Sequence, residues 1–109
     1  SCVFTNVINP RSHINRKDEY RKTIIGRGAS LGANCTIVCG HNVGKYALVG
    51  AGSVVTKDVN DYTIVYGNPA VMKGYVCNCG EKIVFINDKA ECDVCHRKYI
   101  RNKTKIEEI

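Results

Sequence analysis

The strongest order along the chain is a spacing of six. Ile25, Leu31, Ile37, Val43, Val49 and Val55 are aliphatic without a miss, and glycine follows four of them, at Gly26, Gly32, Gly44 and Gly50. Two positions before the next aliphatic stand Ala29, Cys35, Ala47 and Ser53, all small, with His41 the exception. A period of six matches neither the alternation of a strand nor the 3.6 of a helix, and it marks a repeat architecture. Three hexads make one coil of three short, flat strands. The aliphatics point inward and stack coil on coil, the small residue lets the chain turn the corner, and glycine accepts the dihedrals and close approach of such turns. The pattern therefore predicts an all-β protein, a parallel β-helix of hexapeptide repeats.

Carrying the frame outward predicts its interruptions. Val7 stands one full coil of three hexads before Ile25, with Thr5 as its small corner residue, so an earlier coil is expected to end there. Between them the frame falls on His13 and Glu19, which cannot fill an apolar core. Residues 8–22 are thus expected as a polar loop insertion pushed out of the coil, with Thr23 resuming the strand. After Val55 the pattern is expected to end in a turn-rich stretch at 56–62, followed by a strand at 63–66 and a sharp turn at 67–70. The charged segment 97–109 reads as a short helix or a loose tail.

Seven cysteines change the picture at the C-terminal end. Cys77-Asn78-Cys79-Gly80 and Cys92-Asp93-Val94-Cys95 form C-x-C and C-x-x-C pairs with twelve residues between them. Four thiolates delivered by two tight turns suit a tetrahedral, structural Zn2+, because a full ligand set leaves no open position for catalysis. The first pair is one residue shorter than the usual knuckle, and His96 is an alternative ligand. Residues 82–87 would supply a hairpin strand. A ribbon over 77–100 is too short to build a core alone, so the ion would supply its folding free energy. Disulfides are the alternative, in an oxidising compartment. Cys2, Cys35 and Cys39 are left over, and Cys35, at a small corner position, reads as a buried space-filler.

Composition narrows the classes. With 44% hydrophobic residues in 109, the chain is not disordered, and it suffices for one compact domain plus an appendage. No apolar run approaches the roughly 20 residues of a membrane span, and no signal segment opens the chain, so a cytoplasmic protein without a membrane span is expected. The net charge of +6 is uneven. Arg11, Arg16, Lys17, Arg21 and Lys22 give one basic segment, Arg97, Lys98, Arg101, Lys103 and Lys105 another, and the remainder balances. A neutral body with two patches argues against a nucleic-acid binder. The chain begins with Ser1 in mid-pattern and has its only methionine at Met72, which reads as a piece lacking its N-terminal part.

The run from 25 to 60, with GAGSVVTKDV at 50–59 and GNPA at 67–70, resembles the hexapeptide-repeat acyltransferases. FTNVINPR at 4–11, GASLGANCTIVCGH at 28–41 and the C-x-C-G ribbon resemble, more narrowly, the nucleotide-sugar N-acetyltransferases of surface-polysaccharide synthesis. The resemblance implies a left-handed β-helix, a homotrimer, and acetyl-CoA lying between neighbouring subunits. It further implies that the amides of Ala33 and Ala51, one coil apart on the same corner, hold the pantetheine arm. Thr56 and Lys57 would meet the adenosine end, and Lys73 stands near the place of an arginine found after the N-P-x motif in relatives. Where many relatives carry a histidine base, the frame falls on Asn6, which cannot remove a proton. Asn6 is then a substrate-positioning residue, suited to an amine acceptor that needs positioning more than activation. His13 is the other titrating group nearby. A UDP-amino-sugar with a uronic carboxylate carries about three negative charges, and Arg11, Arg16, Lys17 and Arg21 offer complementary donors. His41 is expected as a packed, hydrogen-bonded side chain. A reading of another class competes: a non-catalytic β-helix piece, or a zinc-ribbon module that binds an anionic partner through its basic tail.

Overall fold

The computed structural model describes residues 2–5 and 23–109. Every element among them is a strand, in the order β1 (Val3–Phe4), β2 (Ser30–Leu31), β3 (Thr36–Ile37), β4 (Leu48–Val49), β5 (Val54–Val55), β6 (Thr63–Gly67), β7 (Ala70–Val76), β8 (Lys82–Ile83), β9 (Lys89–Glu91), β10 (Lys98–Asn102) and β11 (Lys105–Glu108). Among the described residues no helix is long and apolar enough to cross a membrane.

The hexads become coils. β2 pairs with β4 in parallel and β3 with β5, each three hexads on, while Ile25 bridges Val43 on the third side. The frame aliphatics Ile37, Val43, Val49 and Val55 are at most 2% exposed and stack on one another, with Cys35 and Ala47 filling the corners beside them. Cys35 is the expected buried filler, and burial, with Cys2 beside it, pushes its thiol up to about 11. The frame glycines have a plain physical cause. A Cβ on Gly32 would strike the main chain of Ala51, and one on Gly26 that of Lys45, so coils can stack this closely only where the side chain is missing. Their φ values are not positive. The left-handed positions form a second column of period six, at Gly28, Asn34, Gly40, Tyr46 and Gly52.

Two expectations about the frame are corrected. Phe4 stands opposite Ile37, whereas a full coil counted back from Ile37 reaches only Glu19. The excess is two and a half hexads, not a whole number of them, so a frame counted backward through it lands three positions off. Cys2, which packs on the core below Cys35, holds the small-residue place that the count gave to Thr5. Val7 itself lies outside the described residues. Nor does the repeat stop at Val55. Val59 bridges Val43 and Val65 pairs with Val49, each two positions short of three hexads, so one more coil is wound in slightly less chain. Val59 and Val65 are buried in the same core.

Thr63 to Tyr66 is the expected strand. β6 then reverses at Asn68-Pro69, whose peptide bond is cis, into antiparallel β7, and β7 carries β8 at its edge. β11-β10-β9 make a separate antiparallel sheet, apart from the two sheets of the coils, and it is the body of the ribbon. The expected helix or loose tail over 97–109 is corrected here. Tyr99 and Ile106 are buried and their neighbours exposed, an alternation that makes β10 and β11 an antiparallel hairpin. Four cations of the segment face carboxylates: Arg97 and Lys105 those of Glu108 and Glu107 in β11, Lys98 that of Glu91 in β9, and Arg101 that of Asp88 just before β9. Tyr62 of the last coil shares the ribbon's apolar cluster with Cys77, Ile83, Cys92, Tyr99 and Ile106. The ribbon's core thus takes one buried aromatic from the last coil, while the coil aliphatics form a separate cluster of their own.

Candidate functional site

Strands of two residues leave the corners as most of the surface, and the corners carry the candidate chemistry. Ala33 and Ala51 sit at equivalent turns before β3 and β5, both exposed, and the amide of Gly52 donates to the carbonyl of Ala33 at 2.9 Å. They share one column, one coil apart. Thr56 and Lys57 follow β5 and so stand at its opposite end, on the next corner.

At that second corner, where coil stacking ends, the β6–β7 hairpin overhangs a pocket of about 300 Å³. Its walls include Thr56, Lys57 and Asn60 from the corner, Thr63 and Val65 from β6, and Met72 from β7. The floor is apolar and the rim polar. Lys73, next along β7, extends its ammonium over the Tyr66 ring at 5.6 Å. The corner is held by side chains that replace missing ladder bonds. Asp58 Oδ1 accepts the amide of Asn42 at 2.9 Å, Asn42 Oδ1 that of Ile24 at 3.0 Å, and Asp61 Oδ1 that of Lys45 at 2.9 Å. His41 is partly exposed, with Nδ1 3.6 Å from Asp58 Oδ1. Asn60, Thr63 and Met72 belong to no motif that marks a site. The shortened coil, visible as Val59 and Val65 out of frame, is the signal that would have found them.

Asn6, Arg11, His13, Arg16, Lys17 and Arg21 lie outside the described residues.

The cysteines form a second site. The sulfurs of Cys77, Cys79, Cys92 and Cys95 all lie within 4.8 Å of one another. Cys77 and Cys95 are 3.4 Å apart and Cys79 and Cys92 3.6 Å. Four sulfurs around a tetrahedral ion at about 2.3 Å would stand roughly 3.8 Å apart, so the donor set fits such an ion. Two turns aim them. The Gly80 amide donates to the Cys77 carbonyl at 2.9 Å, with Gly80 at φ 98°, and the His96 amide to the Cys92 carbonyl at 3.0 Å. The missing residue of the C-x-C pair is thus absorbed by a tighter turn that needs glycine behind it. His96 turns its ring toward Glu91, 3.8 Å away, and stands outside the sulfur cluster. The main-chain amide of Arg97 holds the Cys95 thiol down to about 6 against the opposing pull of burial, and the Arg97 guanidinium adds to it. Tyr99, fully buried beside them, has its hydroxyl pushed up by desolvation.

No family model matches the chain. It is similar to the dTDP-3-amino-3,6-dideoxy-alpha-D-galactopyranose 3-N-acetyltransferase of Aneurinibacillus thermoaerophilus, 52% identical over 82 residues, 75% of this chain and 42% of the relative. It is also similar to the galactoside O-acetyltransferase of Lactococcus lactis subsp. lactis, 32% identical over 69 residues, 63% of this chain and 33% of that one. Among solved structures, a maltose O-acetyltransferase from Clostridium difficile superposes with a TM-score of 0.59 at 26% identity, over 70% of this chain and 42% of that one. The chain thus spans about two fifths or less of these relatives. Repeat, shortened last coil and hairpin, together with these likenesses, establish that the chain belongs to the hexapeptide-repeat acetyltransferase family.

Proposed function

We propose that this chain is part of an acetyl-CoA-dependent N-acetyltransferase whose acceptor is an amino group on a nucleoside-diphosphate-linked sugar, used in surface-polysaccharide synthesis in the cytoplasm. The observation that carries the reading is the 52% identity over 82 residues to an enzyme of that name. In this reading the acceptor amine attacks the thioester carbonyl. A C–N bond forms, the C–S bond breaks, the CoA thiolate leaves, and the amine's proton passes to water or to the substrate. Positioning and stabilisation of the oxyanion supply most of the acceleration, since a neutral amine is already a good nucleophile. Asn6 would orient the acceptor, with His13 close by, and Arg11, Arg16, Lys17 and Arg21 would meet the diphosphate. Acetyl transfer to UDP- and dTDP-linked 3-amino sugars, run side by side, decides which base the substrate carries.

Ala33 and Ala51 would hold the pantetheine arm, and Thr56, Lys57 and Lys73 the adenosine phosphates. These two groups stand on neighbouring corners of one coil, at opposite ends of β5. The reading includes a homotrimer of left-handed β-helices with CoA in the subunit groove, a neighbouring chain walling the other side. Isothermal titration with CoA tests the reading: binding that weakens severalfold in Lys57→Ala supports it, and no heat at millimolar CoA sinks it. Sedimentation should give three chains per particle. A monomer would overturn the subunit groove.

The β-helix would run to residue 76 and the ribbon over 77–100, with 101–109, expected as a charged tail, added to it through the β10–β11 pairing. Cys77, Cys79, Cys92 and Cys95 would hold one structural Zn2+, which when bound supplies the free energy that keeps the ribbon folded. Metal analysis should return one zinc per chain. A basic tail reaching for an anionic partner finds little support in β10 and β11, where the cations Arg97, Lys98, Arg101 and Lys105 each face a carboxylate.

A further inference from the structure

We propose that Tyr99 fastens the cysteine cluster to the last coil of the β-helix, so that an ion held by the four thiolates also steadies the coil that walls the pocket. The proposal rests on the zinc reading above. Tyr99 is 0% exposed, and its Oη has two polar partners. It accepts the amide of Asn78 at 2.9 Å, which leaves its single proton for the Cys77 sulfur at 3.1 Å. Cys77 Sγ also accepts the amide of Cys79 at 3.5 Å. A sulfur that receives two donors is served as a thiolate, and such outer donors orient metal ligands and tune their affinity.

The other side of the same ring reaches the coil. Tyr99 packs on Tyr62 with centroids 5.0 Å apart, and Tyr62 stacks on Tyr46 at 5.5 Å, whose ring in turn covers Gly28. An aromatic column therefore runs from the ribbon down one corner of the β-helix. Tyr62 is 3% exposed, with φ at 58°, a left-handed conformation that a tyrosine keeps only when its surroundings hold it. Its amide donates to the Lys45 carbonyl at 3.0 Å, and its carbonyl accepts the amide of Val76, the residue before Cys77, at 2.9 Å. Asn60 and Thr63, which line the pocket, flank it, and the Thr63 hydroxyl closes the turn on the Asn60 carbonyl at 2.6 Å. Tyr62 lines no wall of the pocket itself, so the link from cluster to pocket runs along the main chain from Tyr62 to Asn60 and Thr63.

The test uses the full chain with Zn2+ and, for spectroscopy, Co2+. Tyr99→Phe keeps the ring and removes only the hydroxyl. It should weaken Zn2+ affinity, measured against a chromophoric chelator, by about 10- to 100-fold and shift the thiolate-to-cobalt charge-transfer band. In the unsubstituted chain, chelation should speed hydrogen exchange at the amides of Tyr62 and Val76. Unchanged affinity in Tyr99→Phe, or unchanged exchange at both amides on chelation, overturns the proposal. Should the unsubstituted chain take up no zinc, the metal reading falls with it. One zinc bound equally well with and without the hydroxyl removes this inference alone.

Discussion

The coils and the ribbon solve the problem of a small core in opposite ways. In the coils, each buried aliphatic is backed by an equivalent one in the next coil, so Ile37 rests on Val55 and Val43 on Val59. Stability there is a sum of near-identical contacts between neighbours. The ribbon, from Cys77 to the end of the chain, has Ile83, Ala90, Tyr99 and Ile106 for apolar core, and Val84, Ile86 and Val94 stand more than 60% exposed. Four cysteines cluster beside that core, Cys77 and Cys92 buried, Cys95 half-buried and Cys79 exposed. Repetition stabilises the first region; on the metal reading proposed above the cysteines stabilise the second, and the two should then fail differently.

The largest difference should come from the cysteines. Cys92→Ser removes a fully buried ligand from the cluster. It should abolish stoichiometric zinc uptake and unfold the ribbon, seen as amide exchange at solvent rates through β8 to β11, while β3 and β5 stay protected. A single cooperative loss of both regions would show that they are one folding unit. Next, Ile37→Ala empties a site with 0% exposure between two coils, and should cost about 2–5 kcal/mol by denaturant unfolding. Zinc affinity should not change, because no ligand lies in that core. A linked fall in zinc affinity would break the contrast from the other side.

How much of this was written in the sequence differs along the same line. The coils were legible because one rule repeats: an aliphatic at every sixth position states side, coil and depth together. It failed only where the count was broken. The extra two and a half hexads below Ile37 moved the frame by half a hexad and made Thr5 stand for Cys2, and the coil shortened after Val55 hid Val59. The ribbon's cysteines were legible as a spacing, yet β10 and β11 were not. A dense run of charges masks an alternation carried only by Tyr99 and Ile106, and tertiary contact with Tyr62 decides it. The pocket needed the three-dimensional path, since Thr56 and Met72 meet only because β7 folds back over the last coil. Tyr46 and Tyr62 break the left-handed column of glycine and asparagine, and that misfit was the available sign of the aromatic column.

Gly32→Ala probes how closely the coils stack. The added Cβ meets the main chain of Ala51, which cannot swing aside, so a loss of about 1–3 kcal/mol is expected, with the apolar core left unchanged in composition. The equivalent substitution at Gly80, where nothing lies within 4 Å of the new Cβ, meets no such wall. There the cost comes from φ 98° alone, and its readout is zinc affinity. Should Gly32→Ala prove neutral in denaturant unfolding, close approach would not be what selects glycine in the frame.

The smallest effect should be on the ribbon's surface. Lys105 pairs with Glu107 at 3.5 Å, but the two side chains are 76% and 60% exposed, so water and salt screen most of the attraction. Lys105→Ala should therefore change stability by less than about 1 kcal/mol and leave zinc uptake intact. The same holds for Lys98, 64% exposed beside Glu91. Thermal unfolding of the zinc-loaded chain at low and high salt checks both. A large, salt-sensitive loss from either substitution would mean that charge pairing, rather than the thiolates and Tyr99, holds β10 and β11 in place.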